Sequence, residues 1–107
     1  MIGDTEGLAF EEALRRTADE NVTLTSADLY ALSAPSSAET QLFRQQWPGI
    51  CTRRRQDVIS LLVESAEANF ELDFNALLRV TMEDEDEQVR ALSLTGLWED
   101  DRPTLIK

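Results

Sequence analysis

Residues 83–100 read EDEDEQVRALSLTGLWED, five carboxylates followed by a mostly apolar run. Either Glu83, Asp84, Glu85, Asp86 and Glu87 form a site for a metal or a basic partner, or they are the polar turn before a helix. The second reading fits better. Carboxylates before and within a first turn accept from its free backbone N–H groups and suit the positive end of the helix dipole. As a calcium loop the run fails, because such a loop needs spaced oxygen ligands, a glycine at its sixth position and a glutamate at its twelfth. No glycine occurs between Gly49 and Gly96. The spacing predicts a helix capped by Asp84 or Asp86 that buries Val89, Leu92, Leu97 and Trp98.

Working outward, the rest of the chain also reads as helix. Four glycines and three prolines punctuate 107 residues, and no alternating strand pattern occurs. A first helix is expected over residues 5–19, with Leu8, Phe10, Ala13, Leu14 and Ala18 as its apolar stripe. Thr25 stands three residues before Asp28 and Ser36 three before Glu39, and each pair is a capping-box spacing that opens a helix. The second of these helices carries Leu42, Phe43 and Trp47, and Pro48 pushes Trp47 towards an extended backbone. The longest helix is expected over 52–69, with Val58, Ile59, Leu62, Val63 and Ala66 inward. Phe70 and Leu72 pin the next connection. Asp73 then caps a helix whose Phe74, Leu77, Leu78, Thr81 and Met82 share a face. Pro103, Leu105 and Ile106 read as the first turn of a further helix that has no room to finish.

Composition bounds what such a bundle does. One domain is expected, burying about two-thirds of the surface of its unfolded chain. With 21 acidic against 10 basic side chains the net charge is −11. Nucleic acid and anionic membrane surfaces repel such a chain, whereas a basic protein attracts it. There is no histidine, so Ser-His-Asp and Cys-His arrangements are excluded within this chain. A single cysteine, Cys51, makes no internal disulfide, and no apolar run approaches the roughly 18 residues of a membrane span. A cytoplasmic domain without cofactor or metal is expected.

The remaining features read as structural. Arg53, Arg54 and Arg55 form the only basic cluster, suited to gripping a phosphate or acidic peptide but expected to pair locally with Asp57 and the acidic segments. Cys51, beside them, is expected to be packed. Trp47 and Trp98 are expected in the core, with Trp98 at the edge of an interface as the alternative.

Asp84, Val89, Arg90, Gly96 and Leu97 resemble one unit of the HEAT-like repeats of bacterial HEAT-repeat proteins. The strings LSAPSSAETQLFRQQWPGI, RRRQDVISLLVESAEANFELDF and GLWED are similar to the N-terminal region of such proteins, beyond about the first 20 residues. Glu85 and Glu87 depart from the pattern where prolines are usual, and Ser93 and Thr95 where alanines are. The resemblance implies an all-α fold, the start of a right-handed α-solenoid. Residues 1–49 would be capping helices, and residues 50–107 a repeat unit truncated at the start of a further helix. Asp84 and Arg90 would form a ladder between neighbouring repeats. The implied function is protein–protein interaction or scaffolding without catalysis, and the enzymatic relative in view is a HEAT-like bilin lyase. Leu92, Leu97, Trp98, Leu105 and Ile106 are the expected protein-binding residues, towards a basic partner or, weakly, a second copy.

Overall fold

In a computed structural model the backbone is described for residues 2–69 and 71–106, and the side chains for 9–69 and 71–97. Six α-helices follow in order: α1 (Ile2–Ala18), α2 (Ser26–Leu32), α3 (Ser37–Gln46), α4 (Thr52–Ala68), α5 (Asn75–Thr81) and α6 (Glu87–Ile106). One turn of 3-10 helix, Trp47–Gly49, links α3 to α4. The described residues are all-α, with no strand among them.

Local chemistry sets most of the boundaries. The Thr25 hydroxyl accepts from the Asp28 N–H while Asp28 accepts from the Thr25 N–H, and Ser36 and Glu39 make the same reciprocal pair. The expected Asp73 cap is displaced by one residue: Phe74 holds the N-cap position of α5 without a side-chain bond, and Asp73 before it accepts from the Asn75 N–H at 3.1 Å. In the next connection, between α5 and α6, Asp86 accepts from the Val89 N–H at 3.0 Å and caps α6.

Ala18, expected inward, is exposed at the end of α1, and three further details differ from the sequence expectations. Trp47 is right-handed helical (φ −56°, ψ −46°) rather than extended. Stacking on Phe43, with ring centroids 5.0 Å apart, and burial of the indole hold it there against the preference imposed by Pro48. Cys51 is exposed at the start of α4, not packed. No new helix begins at Pro103: α6 continues through it to Ile106. A proline within a helix forfeits one backbone hydrogen bond, and the helix carries on past it. Phe70, and the side chains of Leu8, Trp98, Leu105 and Ile106, lie outside the described residues.

The core draws on every helix from α1 to α6. Phe10, Ala13 and Leu14 of α1 join Leu32, Phe43, Trp47, Val58, Ile59, Leu62, Phe74, Leu77, Leu78 and Val89 in one buried cluster. Burying a phenylalanine such as Phe10, Phe43 or Phe74 stabilises the fold by about 1.5–3 kcal/mol. Arg54 fastens α1 to α4. Its guanidinium donates to the carbonyls of Thr17 (2.8 Å) and Arg16 (3.1 Å) in the last turn of α1 and of Val22 (2.9 Å) in the loop after it.

The last three helices have a readable register. Thr81 bonds Ser93 through their buried hydroxyls, and a Cβ on Gly96 would meet Leu78 at 2.7 Å. Moving forward along α6 means moving back along α5, so the two form an antiparallel hairpin. Against α4 the order is reversed. The Gln56 amide donates to Asp86 at 3.0 Å, thirty residues on, and Val63 lies 2.9 Å from the same Gly96 position, thirty-three residues on. Helices α4 and α6 therefore run parallel and side by side, and Gly96 is where the bare backbone of α6 lets them close up.

Candidate functional site

The acidic run becomes a built structure once α4 and the 3-10 turn pack on it. Asp84 is buried, and its two oxygens accept from the Trp47 indole N–H and from the Asp86 N–H, both at 2.7 Å. Arg55, only 4% exposed, sets its Nε 3.5 Å from Asp84 Oδ2, outside hydrogen-bonding geometry. Its Nη2 donates to the Thr52 hydroxyl at 3.0 Å and stands 3.8 Å from the exposed Glu85 carboxylate. Glu83, also exposed, faces Arg44 at 3.5 Å.

Two carboxylates, Asp86 and Asp28, are held ionised. Asp86 lies below the usual carboxylate range because the Gln56 amide and the Val89 N–H donate to it. For Asp28 burial works in the opposite direction, yet the Thr25 N–H and the Arg16 guanidinium outweigh it and hold the carboxyl low. Arg16 Nε reaches both Asp28 oxygens at 2.9 Å.

A cleft of about 250 Å³ opens over this cluster, walled by Trp47, Pro48 and Val80 and edged by Arg44, Arg55, Glu83 and Glu85. A second, of about 350 Å³, lies between α1 and α3, where Leu42 and Gln46 face Glu11, Glu12 and Arg15. Both are open; the first lies below and the second only just above the roughly 300 Å³ at which small-molecule pockets begin.

The basic cluster divides. Arg54 caps α1, Arg55 is buried against the acidic run, and Arg53 is left exposed on α4. The triplet does not present one anion grip. Asp84 and Arg90 do meet, but Arg90 donates to the Asp84 backbone carbonyl at 2.7 Å and not to its carboxylate. Among the described residues no group of histidine, cysteine and carboxylates is gathered for a metal ion, and no helix is long and apolar enough to cross a membrane.

Of the expected protein-binding residues, Leu92 and Leu97 are half-buried and pack against the core. The apolar side chain that α6 turns outward is Leu94, 54% exposed. Sequence reasoning missed it because only the inward stripe of α6 was followed. At 100° per residue Leu94 stands about 200° from Gly96, on the opposite side of the helix.

No protein-family model, curated protein or solved structure matches the chain.

Proposed function

We propose that the chain is a non-catalytic protein-binding module, the capped start of a right-handed HEAT-like helical stack working in the cytoplasm. One observation carries the reading: α4 and α6 run parallel at an offset of thirty to thirty-three residues, with the antiparallel α5 returning between them. Solenoids repeat every 20–45 residues or so in this manner, each unit covering the apolar face of its neighbour. Such stacks work by offering surface to partners rather than by chemistry. Within the acidic run Asp86 is spent on capping α6 and Asp84 on Trp47 and Arg55, which suits the same role.

The experiment is affinity purification with the intact chain, followed by titration of the purified partner. A saturable stoichiometric complex with a protein, leaving both chains covalently unchanged, is the expected result. Formation of a coloured adduct on adding a linear tetrapyrrole, with no protein complex, would overturn the reading in favour of a lyase.

A further inference from the structure

The connection after α2 carries a strained backbone position. Ala34 has a φ of 49°, the only positive value among the described residues. In that left-handed region an alanine Cβ crowds the following carbonyl oxygen, so the conformation persists only where surrounding bonds impose it. Those bonds come from the α4–α5 connection. The Ala34 N–H donates to the Asp73 carbonyl at 2.7 Å, and the Asp73 N–H donates back to the Ser33 hydroxyl at 2.8 Å. One helical turn earlier the Tyr30 hydroxyl accepts from the Asn69 amide at 2.7 Å and donates to the Glu71 carboxylate at 3.1 Å. The end of α2 is thus latched to Asn69, Glu71 and Asp73.

The latch lies at the surface, with Tyr30, Ala34, Glu71 and Asp73 all exposed. Water competes for each of its bonds, which leaves each a small net contribution. A left-handed alanine costs about as much as one such bond contributes. Strain and bonding therefore nearly cancel, and the latch stands close to balance between closed and open.

Burial decides which side moves. Leu72 and Phe74 flank Asp73, and both are buried, so the α4–α5 connection is anchored in the core. Helix α2 has seven residues, too few to remain helical without its ties. Its start is held by Asp28, bonded to Arg16 and Thr25. Once the latch is broken, its end is held by buried Leu32 and half-buried Leu29 and Ala31 alone.

We infer that residues 29–34 form a flap under strain, latched at Asp73, that opens while the rest of the bundle stays folded. Opening returns Ala34 to an ordinary negative φ and bares Leu32 together with the surface beneath it. This device stands apart from the protein-binding reading and does not depend on it.

The test is native-state hydrogen exchange followed by NMR on the intact chain. The amides of Ser33, Ala34 and Asp73 report the latch, and those of Leu62 and Val63 report the middle of α4. Four chains are compared: the parent, Ala34→Gly, Tyr30→Phe, and Ala38→Gly as a control at an exposed, unstrained position of α3. The expected result is one common protection for the three latch amides, well below that of Leu62 and Val63 and insensitive to low denaturant, the mark of a local opening. Ala34→Gly should raise that protection about twofold or more, because glycine takes a positive φ without strain. Tyr30→Phe should lower it about threefold or more, and Ala38→Gly should not raise it. Latch amides that exchange only as slowly as Leu62 and Val63 would overturn the flap, as would three unrelated protections. An Ala34→Gly chain no better protected than the parent would overturn the strain.

Discussion

The Trp47 indole N–H donates to the buried Asp84 carboxylate at 2.7 Å, tying the turn after α3 to the turn before α6. The same carboxylate is the nearest counter-charge to Arg55 of α4, 3.5 Å away. The turn after α3, the first turns of α4 and the turn before α6 thus meet at one oxygen. Removing one member of a buried ion pair costs more than the pair contributes, because the other charge stays behind unpaired.

Asp84→Ala should therefore destabilise the chain by about 3–5 kcal/mol. Glu85→Ala, at the exposed end of the same arginine, should cost less than about 1 kcal/mol. Urea unfolding of the two variants beside the parent checks the contrast. Equal costs would mean that the buried pair is not the anchor.

Phe74 is 2% exposed and Leu77 is fully buried, both in the core formed where α5 meets its neighbours. Phe74→Ala should cost about 3–5 kcal/mol through lost burial and the cavity left behind. A melting temperature within a degree or two of the parent would show that α5 is not packed by this face.

Gly96 is a close-approach position. In an open helix Gly→Ala gains about 1 kcal/mol of helix propensity. Here the added methyl meets Val63 at 2.9 Å and Leu78 at 2.7 Å. Overpacking of this kind costs about 1–3 kcal/mol, so Gly96→Ala should be neutral to destabilising and Gly96→Val clearly destabilising. Thermal melting of both variants decides it, and a stabilised Gly96→Val would contradict the contact.

The pH dependence follows from Asp28 and Asp86, whose carboxyls are both held below their ordinary values. In the unfolded chain they take up protons near pH 4, and in the folded chain only at lower pH. Their contribution is thus fully present above about pH 4 and lost as the pH falls through their folded values. Asp28→Asn should flatten the acid limb of a stability–pH curve and leave its neutral plateau lower. An unchanged acid limb would mean that the Arg16 and Thr25 bonds do not act on Asp28.

How much of this was legible in the sequence depends on distance along the chain. The Thr25–Asp28 and Ser36–Glu39 caps are three-residue features, and they appear where the spacing placed them. The helix over 52–69 and its inward stripe were readable for the same local reason, since period and burial coincide. The acidic run was readable as a helix entrance capped by Asp84 or Asp86, and the structure gives the cap to Asp86. The partners of Asp84 were not readable. Trp47 lies 37 residues away and is brought there by packing that overrides the backbone preference set by Pro48. Cys51 gave no local sign of exposure, being apolar enough to pack and sitting at a helix start. Leu94 was hidden by its neighbours, because Leu92 and Leu97 supplied an inward stripe that needed no third leucine.

The stacked reading depends on α4 and α6 running parallel, and through-space NMR contacts test that directly. In a methyl-labelled chain the Val63 methyl groups should show contacts to the Gly96 α-protons, and the Gln56 amide should show contacts at the Asp86 end of α6. Contacts of Val63 with residues near Val89, and of Gln56 with residues near Gly96, would mean that the helices run antiparallel, and the stacked reading would fall.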